Sequence, residues 1–487
     1  MKTRHSAFAL FSILLLLVFQ SFPARAQYAE DALRFSSIGL GVGSRPLSMG
    51  GAYIGVADDY TAVFWNPAGL AQMRRLEFTG GIVSSNYKND ANFLKVTTSG
   101  KNSGTALDNL GFVFPFPTVR GSLVFALGYN RVTDFTSALS FNGFNDSSSI
   151  LPWLYDSEQK YDIPFGVGLE DTLGRINVKK NVNQQGEVRE GGSIGNWAFA
   201  GAIDVEKNLS FGLTINVLSG TYTYVRNFVE EDTKNYYSDL RSSVPIDDAY
   251  LKFKKFYYDS NVSSEITGVN AIFGMMYRYE DIARVGATIR TPSAIVVHET
   301  FTDEGSSVFD DGYVPTFQGK TYTHHLNDSY NDYGVQTPWV LGLGGSYSPI
   351  DGLLFAADVE YTDWTQIAWI DNADLEKENI SLKKNFRPTT NLAVGGEFEI
   401  PRTDFRVRAG YAYKPSAFEG DPSSYNQKII TTGAGVLLQN NVMFDMGVAI
   451  GSMKTFHNNY GSKALGLSRT NETISTTHIT FTDSYRF

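Results

Sequence analysis

The chain has no cysteine and only six histidines in 487 residues. The first absence excludes disulfides and, because no cysteine follows the apolar N-terminal stretch, a lipoprotein anchor. The histidines are scattered, and the adjacent pair His324-His325 has no third group at metal-ligand spacing. Asp371-Asn-Ala-Asp374 lacks the glycine of a calcium loop, so no metal or cofactor is expected. Positive charge is also short: the net charge is −10, which argues against nucleic-acid binding, since that relies on Lys and Arg to neutralise phosphates. Long hydrophobic runs are missing too. The apolar core Ala7 to Val18 spans twelve residues, and a membrane-crossing helix needs roughly 20.

That short run has the form of an export signal. Lys2, Arg4 and His5 precede it, and Ala24-Arg25-Ala26 forms a small-x-small cleavage site before Gln27. Residues 1–26 are therefore expected to be removed. Against these absences stand 34 Phe, 27 Tyr and 46 Gly, at a mean hydropathy of only −0.18. Aromatic and glycine richness without apolar runs suits a transmembrane barrel, whose strands alternate apolar and polar residues and average to neutral.

The alternation is explicit. Leu123, Phe125, Leu127 and Tyr129 alternate with small or polar residues, as do Leu209, Phe211, Leu213, Ile215 and Val217. Phe405, Val407, Ala409, Tyr411 and Tyr413 repeat the pattern, followed by Val442, Phe444, Met446, Val448 and Ile450. Fourteen such segments are expected: 76–86, 108–116, 121–133, 195–205, 208–226, 263–279, 282–297, 338–348, 352–365, 387–400, 402–415, 427–438, 441–452 and 474–487. The number is even, as closure with both termini on one side requires, and closure pairs every backbone group as a bilayer demands.

The connections alternate in length. Tight turns fall at Pro117–Arg120, Glu206–Asn208, Glu280-Asp281, Pro349–Gly352, Pro401 and Gln439-Asn440. Long polar loops are expected at 87–107, 134–194, 227–262, 298–337, 366–386, 416–426 and 453–473. Short periplasmic turns with long outer loops are the barrel topology. The fold class is thus all-β, an antiparallel transmembrane barrel over 76–487, located in a bacterial outer membrane and in contact with its lipids. Ile479, Phe481, Tyr485 and Phe487 share one face of the last strand; a terminal Phe487 of that parity resembles the signal read by the barrel-insertion machinery.

Residues 27–75 are different. Gly39, Gly41, Gly43, Gly50, Gly51 and Gly55 are too dense for a helix or packed strand. Gly41-Val42-Gly43 lacks the βαβ context of a nucleotide loop. Asp58 and Asp59, followed by Asn66-Pro67-Ala68-Gly69-Leu70, resemble the N-terminal plug motif of the FadL/OmpP1/TodX-type outer-membrane transporters of hydrophobic compounds. The similarity recurs at Tyr361-Thr362-Asp363-Trp364 and Val407–Tyr413. The resemblance implies a hatch inside the barrel lumen, with Asp58, Asp59, Asn66, Pro67, Ala68 and Gly69 as its gating residues. It also implies a sideways exit at a kinked strand, for which Pro115 and Gly128 are the candidates.

On that reading an apolar solute adsorbs on outer-loop residues Phe141, Phe144, Trp153, Leu154, Tyr155, Phe256, Tyr257 and Tyr258, then enters the lumen. Simple packing of the loops over the mouth would use the same aromatics. Arg406, Arg408 and Lys414 face inward by parity and could meet a ligand carboxylate, or could be structural. An enzyme reading fails at its one motif. Gly191-Gly192-Ser193-Ile194-Gly195 matches a nucleophile elbow, but it precedes a strand and not a helix. The expected function is passive uptake of long-chain fatty acids or other hydrophobic compounds such as aromatics. A related barrel serving as a surface shuttle or assembly factor in protein secretion is the alternative, and a plain porin a third.

Overall fold

The computed structural model describes residues 25–157, 162–170, 174–176, 178–237, 252–280, 282–310, 323–326, 329–462 and 466–487. The expected export signal falls almost wholly on residues 1–24, outside them.

Fourteen antiparallel barrel strands are formed by the described residues. They are β1 (Glu77–Phe93), β2 (Val96–Phe116), β3 (Leu123–Asp134 and Ser137–Asn145), β4 (Val182–Glu206), β5 (Leu209–Glu231), β6 (Phe253–Tyr279) and β7 (Ala283–Arg290 and Ala294–Phe309). Then follow β8 (Ser329–Gln336 and Val340–Ile350), β9 (Leu353–Asp363 and Ala368–Ile370), β10 (Pro388–Glu399), β11 (Phe405–Lys414), β12 (Gln427–Leu438), β13 (Val442–Ser462) and β14 (Gly466–Arg486). Closure is made by β1 on β14, in register from Glu77↔Arg486 to Asn92↔Asn471.

The outward rows carry the apolar residues. Phe125, Leu127, Phe211, Ile215, Phe405, Val407, Phe444 and Ile450 are all exposed, while their neighbours Val124, Ala126, Ala412 and Ala449 are buried. This is the inversion that a lipid solvent imposes on a barrel. The short turns are where the breakers are. Glu280, Arg402, Gln439 and Asn440 take positive φ, as do Gly121 and Gly352.

The outer ends differ from expectation. β1 and β2 continue through the stretch expected to be loop and meet at Leu94-Lys95, both with positive φ. β5, β6, β13 and β14 likewise run on past their expected ends. Beyond the bilayer the outward face meets water and carries polar residues, so an apolar outward row no longer marks a strand that hydrogen bonding still continues.

Candidate functional site

The N-terminal residues fold into helix α1 (Arg25–Ser36), the single turns α2 (Ser44–Ser48) and α3 (Ala62–Trp65), and a 3-10 helix Pro67–Gln72. Asn66 is extended and caps that 3-10 helix, accepting a bond from Ala68 N at 3.2 Å, with Pro67 at its first turn. Met49, Tyr53, Val56, Tyr60, Ala68 and Leu70 have no exposed surface.

This segment lies against the inward faces of strands on every side of the barrel. The glycine-rich inner wall is what admits it. A Cβ at Gly274 would stand 2.9 Å from both Ala68 N and Pro67 Cδ. One at Gly447 would stand 2.8 Å from Ser44 O, and one at Gly410 would overlap the Met49–Gly50 peptide. Gly55 itself approaches the Gly345 backbone to 2.7 Å for a would-be Cβ. Backbone meets backbone here with no side chain between.

Polar groups then fix the segment. Asn66 Nδ2 donates to Ile54 O at 2.9 Å and to Met275 O of β6 at 3.1 Å. Four wall carboxylates receive N–H groups from the segment. Asp108 accepts from Gly43 N (3.0 Å), Asp358 from Tyr53 N (2.6 Å) and Ile54 N (2.7 Å), and Glu77 from Tyr60 N (2.9 Å). Glu397 takes Arg45 bidentately, at 2.8 and 3.0 Å. Burial leaves such carboxylates unsolvated, so each requires these donors.

The acidic pair is part of the same array. Asp58 is bound by Arg45 and, at 3.1 Å, by Arg284 of β7. Those two guanidinium groups outweigh burial and hold its carboxyl below the usual carboxylate range. Asp59 accepts from Tyr53 Oη at 2.6 Å and from Thr61 N at 2.9 Å. Gly69 leaves no room for a side chain beside the Ala57 carbonyl. Below this array a polar vestibule of about 810 Å³ opens between the periplasmic turns, lined by Arg45, Asp58, Asp59, Arg284, Arg406 and Asp445 among others.

The three inward cations considered for a ligand carboxylate each have a protein partner. Arg408 is fully buried, on Glu397 and Asp445 at 2.5 Å each. Arg406 pairs with Glu399 at 3.0 Å. Lys414 Nζ donates to Gly39 O at 2.7 Å. The loop aromatics divide as well. Phe141, Leu154, Phe256 and Tyr258 lie in a buried cluster with Phe93 and Phe228. Phe144, Trp153 and Tyr257 are half-buried, with Lys234 over the Phe144 ring at 3.4 Å, and Tyr155 is exposed. Ser193 sits within β4, not on a strand-to-helix turn, and accepts from Arg131 Nη1 at 2.8 Å.

Among the described residues the wall is interrupted where β2 meets β3. β2 and β3 pair only from Phe116↔Leu123 to Asn109↔Asn130. A bulge at Asp108, opposite the Gly81/Ile82 step, turns the outer half of β2 away, and β3 slips register at Arg131/Thr133. Past that point β2 pairs with β1 and β3 with β4, and side chains alone cross between them, as in Asn102 Nδ2 to Ser137 O at 3.0 Å. Pro115 and Gly128 both lie inside the paired stretch, opposite Val124 and Gly111. The break is made by two bulges, which a breaker-residue search does not detect. Below it, Asn130, Asn196, Asn216 and Asn270 form an amide row around the inner wall, each donating to the next at 2.8 to 3.1 Å.

Above the segment, α1 carries Glu30 and Asp31 beside Arg34, which also reaches Glu190 at 3.2 Å. Burial, then Asp31, push Glu30 up to about 7 against the opposing pull of Arg34, with Glu190 and Glu472 adding to the rise. A carboxyl with a raised value favours the packed helix most below its ordinary 4.5, and that contribution is lost as pH rises through about 7. Amide-exchange protection of Ala29–Ser36, corrected for intrinsic rates, should therefore fall between about pH 5 and about pH 8. Glu30→Gln should remove the dependence.

The closed barrel, its lipid-facing apolar band and its occupied lumen define an outer-membrane β-barrel of the transport type. The chain belongs to the outer membrane protein transport family (OMPP1/FadL/TodX), whose model matches residues 170–487. Among solved structures it is similar to a Pseudomonas aeruginosa FadL homologue (12% identity, TM-score 0.57) and to the P. putida toluene transporter TodX (12%, 0.56). The Ralstonia pickettii toluene transporter TbuX is similar too (16%, 0.54). Each comparison covers 92% of this chain and 99% of the other. At these identities the likeness is one of fold. No curated protein sequence matches the chain.

Proposed function

We propose that this protein is a passive outer-membrane channel for hydrophobic compounds, with residues 27–75 as a hatch and the β2–β3 seam as a lateral exit. The observation that carries the reading is the pairing of a plugged lumen with an interrupted wall. Asp108 belongs to both, as the bulge residue of β2 and the acceptor for Gly43 of the hatch. A shift of the hatch would thus be felt at the seam. The seam opens where the outward rows change from Leu107 and Tyr129 to polar residues, the level at which a solute would pass into the outer leaflet.

An uncharged substrate suits the lumen best. Arg406, Arg408 and Lys414 are already engaged, and Asp31 and Glu190 pair with Arg34, with Glu30 and Glu472 near it on the same side. An anionic head would meet more repulsion than attraction there. The toluene transporters among the similar folds are in keeping with this choice.

Uptake of a labelled monoaromatic hydrocarbon by a host lacking its own route tests it, with a hydrophilic dye measured in parallel. The wild-type chain should admit the hydrocarbon and exclude the dye. Asn66→Ala strands Ile54 O and Ala68 N and takes a second donor from Met275 O, at about 1–3 kcal/mol for each buried group left unpaired. It should raise dye entry at least about tenfold. A wild-type barrel that admits no hydrocarbon, or an Asn66→Ala variant equal to wild type for both solutes, overturns the proposal.

A further inference from the structure

The lipid-facing wall itself carries a cavity of about 620 Å³ where β12, β13, β14, β1 and β2 meet. It lies between two outward rows of the sheet. The lower row runs Val436, Phe444, Asp483, Gly80; the upper runs Ala434, Met446, Phe481, Ile82, Leu107. Phe444, Met446, Phe481, Ile82 and Leu107 are exposed and form the banks. Gly80 and Ala434 form a floor where the alternation elsewhere places a bulky residue.

Two features point to an occupant. First, the floor is not imposed by packing. A Cβ at Gly80 would meet only Leu110 Cδ1, at an ordinary 3.6 Å, so a side chain would be tolerated there. Second, the groove carries a carboxylate on its outward face. Asp483 is exposed on the outward parity of β14, between Phe481 and Tyr485, and forms no ion pair among the described residues. A carboxylate on the outer face of a barrel is tolerated near the interface, where lipid headgroups can supply its counter-charge. It lies one row in from the Tyr485↔Val442 pair at the periplasmic end of the wall, at headgroup depth.

We propose that this groove binds an amino-headed phospholipid of the periplasmic leaflet, phosphatidylethanolamine. Its ammonium group sits on Asp483, and one acyl chain lies across Gly80 and Ala434 between the phenylalanine banks. Strand tilt of about 35–45° inclines the rows, so a chain lying along them runs obliquely into the leaflet. The ammonium donates hydrogen bonds to the carboxylate, which a quaternary choline head cannot do and a glycerol head cannot match in charge. The site does not depend on which compound passes through the lumen.

Native mass spectrometry of the full barrel, exchanged into phosphatidylethanolamine, phosphatidylcholine or phosphatidylglycerol in mild detergent, tests it. Wild type should retain phosphatidylethanolamine about tenfold better than phosphatidylglycerol, the size of one charge-assisted contact. Asp483→Asn should bring the two within about twofold. Gly80→Phe with Ala434→Phe should abolish retention of all three, with heat-modifiable gel mobility confirming that both variants fold. Equal retention of the three lipids by wild type, an undiminished preference in Asp483→Asn, or lipid still held by the filled groove would each overturn it. So would a stable dimer sealed across this face without lipid.

Discussion

Arg45→Met should undock the N-terminal segment and leave the barrel standing. Arg45 binds Glu397 through two nitrogens and also holds Asp58 and Tyr53 Oη, the last at 2.9 Å. Methionine keeps most of the volume and none of the charge. Glu397 would retain Arg408, while Asp58 would retain Arg284 alone. Breaking one partner out of a buried ionic array costs about 3–5 kcal/mol, because the remaining charges stay where water cannot reach them. The cost falls on docking, since none of Arg45's bonds lies in the wall ladder. Single-channel recording in planar bilayers should show conductance where wild type is closed, with exchange protection of 39–73 lost and that of β1–β14 kept. Silent bilayers with full protection would show that the wall glycines and the Asn66 contacts suffice without Arg45. Low pH should act in the same direction. Asp58 is held below its ordinary value, so its contribution is complete above the usual carboxylate range and is lost only as pH falls through and beneath it. Mild acid should therefore leave the segment seated.

Gly410→Val should have a comparable effect for a steric reason. Gly410 sits in β11 with Tyr411 behind it, and its missing side chain is the space occupied by the Met49–Gly50 peptide. Neither partner is a flexible side-chain end: one is strand backbone, the other a turn in which Gly50 itself takes positive φ. Overpacking of this kind costs about 1–3 kcal/mol where neighbours can yield and more where they cannot. Gly345→Val is the matched control, because its outward Cβ would come no nearer than 3.6 Å to Arg284 O. Limited proteolysis from the periplasmic side of proteoliposomes should cut within 39–73 in Gly410→Val and spare the control. Equal resistance of the two would mean that the segment packs less tightly on the wall than the Met49 contact requires.

Much of the fold was legible because lipid inverts and thereby exaggerates the period of a strand. Phe405, Val407 and Tyr411, or Phe444, Met446 and Ile450, can face only outward if Arg408 and Asp445 are to face in. The breakers at Pro117, Gly352 and Gln439-Asn440 marked the periplasmic turns for the same local reason. The Asn66-Pro67-Ala68 motif was legible as a resemblance, and its extended Asn66 follows from the proline after it; that Asn66 caps the next turn emerged only in the structure. The wall groups that hold the segment were not. Asp108, Asp358, Glu77 and Glu397 are ordinary inward acids in sequence, up to several hundred residues from Gly43, Ile54, Tyr60 and Arg45.

What the sequence by itself determined was therefore whatever depends on near neighbours: strand parity, the number and direction of the strands, the short turns, and the restriction that Pro67 places on Asn66. What only the tertiary structure decided depends on closure. The ends of the strands in water, the seam between β2 and β3, the partners taken by Arg406, Arg408 and Lys414, and the groove at Asp483 all arise from register between distant strands. A one-residue bulge at Asp108 moves a carboxylate onto Gly43 and ends a ladder. Nothing adjacent to it in the chain announces either outcome, because the geometry exists only after β1, β2 and β3 have met.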